Sequence, residues 1–142
     1  MGTIEKTIIT VQTKINAPIE LVWKLWTTPK DIEKWNHASD EWHTPKAEND
    51  LRVGGKFNYR MDAKDGSMGF NLEGIYEKLI VNKQIDYTLL DDRKVKIIFS
   101  PADGKTQIIE TFEAENVNSI ELQRGGWQAI LDNFKKYAEL NK

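Results

Sequence analysis

The chain contains no cysteine, which excludes disulfides and thiol catalysis and fits a reducing cytoplasm. It has no basic excess: 20 basic residues stand against 22 acidic ones, a formal net charge of −2. That balance offers no basic surface for nucleic acid and no polybasic run for a membrane. No apolar run approaches the length of a membrane span. Met1 is followed by a charged, alternating segment rather than an apolar signal core. Gly2 satisfies the first requirement for myristoylation, but Lys6 stands where serine or threonine is needed. There is no Gly-x-Ser-x-Gly elbow, no phosphate-binding loop and no metal-ligand signature. These absences lead to the expectation of a cytoplasmic protein without metal, cofactor, nucleic-acid partner or membrane attachment.

What the chain does hold is aromatic and patterned. Its 142 residues make one domain, 1–142, without repeat, linker or low-complexity segment. Five residues are tryptophan, and four of these, Trp23, Trp26, Trp35 and Trp42, fall close together. Tryptophan is seldom wholly buried and its N–H needs a partner. Such a cluster is either an aromatic minicore or the rim of an apolar cavity.

The organising stretch is the last one. From Asn118 to Leu140, Ile120, Trp127, Ile130, Leu131, Phe134, Tyr137 and Ala138 trace one face of a helix. Asn118 with Glu121 reads as its capping signal. Gly125-Gly126 lies inside it, and each glycine costs about 0.8–1 kcal/mol against alanine. The pair reads as a bend or late start, as close helix–sheet packing, or as room left for a ligand beside Trp127. An isolated amphipathic helix is marginal in water, so this one needs a sheet to lie on.

The rest of the chain supplies it. Thr7–Ile15 alternates as an edge strand, with Ile9, Val11, Thr13 and Ile15 on one face. Two short helices follow. The first opens at Ala17-Pro18 with Pro18 at its first position, and buries Ile19, Val22, Trp23 and Trp26. The second is capped by Thr28, starts at Pro29, carries Asp31 at the capping-box position and buries Ile32 and Trp35. Asn36–Asp50, with His37, Asp40, Trp42 and His43, is the least patterned segment and reads as a solvated loop. Gly54-Gly55 breaks the next strand as a bulge or sharp bend.

Hairpin signals then fix a register. Folding about Asp65-Gly66 sets Tyr59 opposite Leu72 and Met61 opposite Phe70. Ile85, Tyr87 and Leu89 share a face of the following strand, and Asp91-Asp92-Arg93 turns the chain. Folding about Asp103-Gly104 sets Phe99 opposite Ile108 and Val95 opposite Phe112. The same register sets Glu110 opposite Ile97, a carboxylate among apolar neighbours on the inner face. The expected fold is α+β: one strand, two helices, five or six further strands and a helix. The strands form a curled antiparallel sheet of about six to seven around the long C-terminal helix.

Three pieces of sequence carry a resemblance. Asn16-Ala17-Pro18-Ile19-Glu20-Leu21-Val22-Trp23, with Trp26-Thr27-Thr28-Pro29 and Trp35, is the first. Leu51-Arg52-Val53-Gly54-Gly55-Lys56-Phe57 is the second. Thr111-Phe112-Glu113 with Gly126-Trp127 and Leu131 is the third. In this order they resemble the domain family related to the C-terminal domain of the Hsp90 ATPase activator, within the START-like, helix-grip superfamily. The resemblance covers nearly the whole chain. It implies a curled sheet gripping a C-terminal helix, often with a cavity between them. Functions in that superfamily range over lipid and hormone carriage, polyketide cyclisation, ring-oxygenase domains and chaperone activation, and fold does not choose among them. The chaperone activator carries an additional N-terminal domain for which this chain has no counterpart, and the oxygenase branch needs metal ligands and an iron–sulfur partner that are not visible here.

The leading functional expectation is binding of a small apolar or aromatic molecule. Its wall would come from Phe57, Tyr59, Phe70, Leu72, Tyr76, Tyr87, Glu110 and Phe112. Its lid would come from Trp127, Ile130 and Leu131, with Trp35 and Trp42 near the mouth. Each of these also reads as ordinary core, and the case is collective. A cyclase-like enzyme acting on an aromatic or polyketide substrate comes second, with His37, His43, Glu110, Tyr59, Tyr76 and Tyr87 as its possible acid–base groups. A chaperone-interaction module comes third.

Overall fold

A computed structural model describes residues 7–142; Gly2 and Lys6, weighed above for myristoylation, lie outside the described residues. Strand β1 (Ile8–Ile15) leads into helices α1 (Ile19–Thr27) and α2 (Pro29–Trp35). Strands β2 (Trp42–Asn49), β3 (Lys56–Ala63), β4 (Gly69–Ile80) and β5 (Gln84–Leu89) follow. Strands β6 (Lys94–Ala102) and β7 (Lys105–Glu113) and helix α3 (Ile120–Leu140) complete the order. All seven strands belong to one antiparallel sheet, β1-β7-β6-β5-β4-β3-β2. It curls into a half-barrel that grips α3, the α+β helix-grip arrangement expected from the sequence.

Alternation decides which way each strand faces. Ile9, Val11 and Ile15 are buried on β1 while Ile8 is exposed. The hairpin registers are those the turn residues predict: Tyr59 pairs with Leu72 and Met61 with Phe70. Phe99 pairs with Ile108, Val95 with Phe112 and Ile97 with Glu110. Leu131, Phe134 and Ala138 of α3 are fully buried against this concave face. Polar contacts tie α3 to the first strand: Gln128 Nε2 donates to the Gln12 carbonyl at 3.1 Å, and the Asn16 N–H to Glu139 Oε2 at 2.8 Å.

Helices α1 and α2 close one end. Trp26 packs edge-on against Phe134 at 4.8 Å and Phe99 at 5.8 Å, and Trp35 packs on Phe134 at 4.8 Å. Such aromatic pairs contribute about 0.5–1.5 kcal/mol each beyond the area they bury. The Trp35 indole N–H finds its partner in the Leu25 carbonyl, 3.0 Å away.

Several local expectations are corrected. Pro18 precedes α1 in an extended conformation (ψ 152°) and Ile19 is the first helical residue. Thr28 does precede α2, but its hydroxyl turns back to donate to the Lys24 carbonyl at 2.6 Å and caps nothing. Asp31 accepts instead from the Tyr137 hydroxyl at 2.5 Å. The cap of α3 is Ser119 rather than Asn118, its Oγ accepting from the Leu122 N–H at 3.1 Å. The segment read as a solvated loop contains β2, whose pattern is broken by a bulge between His43 and Lys46 around Pro45. Proline is tolerated there because β2 is an edge strand. Thr44 is buried and donates to the Asn36 carbonyl at 2.6 Å.

Gly54-Gly55 forms the sharp bend expected of it, in the turn between β2 and β3. Gly54 has φ +84°, and a Cβ on Gly55 would lie 2.0 Å from the Asp50 carbonyl oxygen. Glycine is therefore needed at both positions, for different reasons. Helix α3 runs without a break through Gly125 and Gly126.

Candidate functional site

Between the concave face and α3 lies a cavity of about 330 Å³. Its wall is the inner face of five successive strands, β3 to β7, the last of them contributing Glu110. Tyr59 and Met61 come from β3, Phe70, Leu72 and Tyr76 from β4, Ile85 and Tyr87 from β5, and Ile97 from β6. The period-2 pattern of each strand puts these side chains on one side. Trp26, Thr27, Trp35 and Asn36 close the end at α1 and α2. The roof is α3, through Gln123, Gly126, Trp127 and Ile130.

Two features of the roof are specific. Trp127 stacks on Phe112 of β7, with ring centroids 3.9 Å apart and planes inclined by 12°, so the indole is held at the cavity margin by a flat partner. Beside it, a Cβ at Gly126 would meet no atom within 4 Å, and the same holds at the exposed Gly125. Close helix–sheet packing therefore does not explain the glycines. At Gly126 the missing side chain leaves space in the cavity itself.

Glu110 is the polar feature of the wall. It is only 5% exposed, between Val11 of β1 and Ile97 of β6. Among the described residues its carboxyl makes no hydrogen bond or ion pair. Burial pushes its pKa from the usual 4.5 up to about 8, because an apolar surround disfavours the charged form. Burial likewise raises the Tyr87 hydroxyl well above its usual range, and the neighbouring Glu110 raises it further. Tyr59 is raised by burial and by Tyr76, with which it shares a hydrogen bond. Burial also raises Tyr76, partly offset by hydrogen bonds from Tyr59 and Asn49.

Arg93 and Glu115, half-buried, and Asn118 and Leu122, exposed, complete the lining. Arg93 is engaged by Asp91, with Nε 2.7 Å from its carboxylate. Gln123, buried on the apolar stripe of α3, holds the β7–α3 connection. Its Oε1 accepts from the Glu115 N–H at 2.9 Å, and its Nε2 donates to the carbonyls of Asn118 at 2.8 Å and Glu115 at 3.2 Å.

This architecture recurs in known proteins. Residues 16–139 match the family described as activator of Hsp90 ATPase homolog 1-like protein. The chain belongs to the AHSA1 family. An AHSA1-like protein from Aeromonas hydrophila, solved by NMR, is 40% identical, with 95% of this chain and 94% of that one covered and a TM-score of 0.89. A protein from Cytophaga hutchinsonii is 50% identical over 94% of this chain and 92% of its own, with a TM-score of 0.81. A protein from Chromobacterium violaceum shares the fold at 23% identity, covering 93% of this chain and 96% of its own at a TM-score of 0.84. A search of curated proteins finds no match.

In this AHSA1-family chain nine of the residues singled out from sequence surround the cavity: Trp35, Tyr59, Phe70, Leu72, Tyr76, Tyr87, Glu110, Trp127 and Ile130. Four others lie elsewhere. Phe57 sits against the rings of Tyr59, Tyr76 and Tyr87 at 4.8–5.3 Å, outside the lining. Phe112 is covered by Trp127, and Leu131 is wholly buried in the core. Trp42 packs edge-on to Phe70 at 5.9 Å, at the margin of the sheet. The lining residues that sequence reasoning passed over include Met61, Ile85 and Ile97, although their alternation with named neighbours already placed them on the inner face. Gln123 also had a signal, being a polar residue four positions before Trp127 on an apolar stripe. Arg93, Glu115, Asn118 and Leu122 had none, since turns and a helix start gather them.

The histidines do not form a centre. His37 Nε2 lies 3.1 Å from Asn133 Nδ2, its Nδ1 is buried without a partner, and burial and Lys64 lower its pKa. His43 pairs across the sheet with Asp62. Among the described residues no group of three or more histidine, cysteine, aspartate or glutamate side chains is placed to hold a metal ion. No described helix is long and apolar enough to cross a membrane.

Proposed function

We propose that this protein binds a small apolar or aromatic molecule between its curled sheet and α3. The observation that carries the reading is the aromatic cavity beneath Gly126, where the helix gives up propensity and gains space. A volume of about 330 Å³ is at the lower end of the range for small-molecule sites. It suits a one- or two-ring ligand held with micromolar affinity, about −8 kcal/mol. Trp26, Trp35 and Trp127 line the cavity, so occupancy should change tryptophan emission. The test is a titration with naphthylmethanol, followed by fluorescence and calorimetry. A saturable one-site response is expected, and no saturable response up to millimolar probe would defeat the reading.

Glu110 favours a second reading. A carboxyl with a pKa of about 8 can hold and release a proton near neutral pH, which cyclase-like chemistry on an aromatic or polyketide substrate requires. Turnover of such a substrate, lost in Glu110→Gln, would move the protein into that class. The family's description supports a chaperone-interaction role, which would use the outer surface and be read as stimulation of Hsp90 ATPase activity.

A further inference from the structure

We propose that the cavity selects an organic cation, a protonated amine on an apolar or aromatic body, with the Glu110 carboxylate as its counter-ion. This inference rests on the reading that the cavity binds a small molecule, and it names the class of that molecule.

A buried acid is ordinarily paired, because an unpaired one costs several kcal/mol in an apolar surround. Glu110 is 5% exposed and unpaired among the described residues. The elements around it supply no cation. β1 offers Val11 and β6 offers Ile97. β5 offers Tyr87, and α3 offers Gln123, Gly126, Trp127 and Ile130. The charged or titratable groups elsewhere on the lining are Tyr59, Tyr76, Arg93 and Glu115. Of these only Arg93 is positive; its Nε pairs with Asp91 and its charge acts on Tyr87 rather than on Glu110. Among the described residues no charged group acts on Glu110, whose shift comes from burial alone, so a counter-ion for its carboxylate form has to come from the ligand. Aromatic walls add to the preference, since ring faces attract cations more strongly once both are removed from water. Two carboxyl groups, Glu110 and Glu115, work against an anionic ligand.

Proton linkage gives the inference a signature. With a pKa of about 8, the carboxyl of the free protein is mostly protonated at pH 7. An ammonium group beside it favours the carboxylate, so the acid proton leaves to solvent as the ion pair forms. Binding at pH 7 should release roughly 0.9 proton, and affinity should rise about tenfold from pH 6 to pH 7 and level off above pH 8.

The probes are naphthylmethylamine and its neutral analogue naphthylmethanol, measured by calorimetry in two buffers of different ionisation enthalpy. The expected result is at least tenfold tighter binding of the amine at pH 8, with proton release. Glu110→Gln should bring the amine down to the level of the alcohol and abolish the release. The pH profile and proton count use the unaltered protein, so the test survives a poorly folding variant. Equal affinities with a flat pH profile would overturn the cation assignment and leave the cavity reading standing. Tighter binding of the alcohol would overturn it too, in favour of a protonated Glu110 donating to a neutral acceptor. Binding of neither probe would overturn both readings.

Discussion

Replacing Gly126 by alanine and by leucine should move stability and binding in opposite directions. Helix α3 is continuous through this position, so glycine there costs about 0.8–1 kcal/mol relative to alanine. A Cβ meets no atom within 4 Å, so alanine adds no clash. Gly126→Ala should therefore stabilise the fold by up to about 1 kcal/mol, about 2–4 °C in Tm for a chain of this size. Gly126→Leu keeps nearly the same propensity gain and extends three further carbons into a cavity of about 330 Å³. Those carbons bury apolar surface against aromatic walls, a term of up to about 1.5–3 kcal/mol for a fully buried leucine. The same atoms occupy the ligand's space, and binding of naphthylmethanol should weaken at least tenfold, a loss of about 1.4 kcal/mol. Gly125 is the internal control: it is exposed, its Cβ also meets nothing, and its variants should gain stability without losing binding. Thermal melts and fluorescence titrations on the four variants read both quantities. If the Gly126→Leu protein binds as well as wild type, or if Gly125→Leu impairs binding as much, the space beneath Gly126 is not the ligand site.

Two other expectations come from backbone and charge. Gly55→Val should lower stability by about 3 kcal/mol or more, because its Cβ would sit 2.0 Å from the Asp50 carbonyl oxygen; an unchanged melting temperature would refute the turn's account. Glu110, raised from 4.5 to about 8 by burial, keeps its proton in the folded state after the unfolded chain has released it. Stability should thus fall as pH rises from about 5 to 8, by a few kcal/mol, and hold steady above. Urea melts at pH 5 and pH 8 should show this slope in wild type and not in Glu110→Gln, and parallel behaviour of the two proteins would contradict it.

Sequence reasoning succeeded where a short turn and a strict alternation acted together. Asp65-Gly66 and Asp103-Gly104 each set a register, and the second of these puts Glu110 on the inner face by turn position and alternation alone. It failed where one of the two was missing. In β2, Pro45 and the adjoining bulge interrupt the period, and the strand's charged residues suit an edge exposed to water. Cap positions were displaced by one because Asn118 and Ser119 are both competent caps and only geometry chooses between them. Phe57 and Phe112 have the right parity for the cavity but are covered by other rings. Parity tells which side a side chain takes and is silent about what lies above it. Arg93 and Leu122 were illegible as lining for a related reason, since a turn and the start of α3 bring them to the cavity.

The strand order has a consequence for how the molecule is put together. Five of the six seams in the sheet join strands adjacent along the chain, and the sixth joins β1 to β7. Closing the first five needs only short loops, whereas the sixth brings together segments about a hundred residues apart, such as Val11 and Glu110. Non-local pairings of this kind slow folding. Glu110 stands on that seam and faces α3, so its apolar surround is complete only after the chain has been made through α3 and β1 has docked. Until then the carboxyl stays in water, where it ionises like any other glutamate, and it acquires its unusual proton affinity as β1 and α3 close over it.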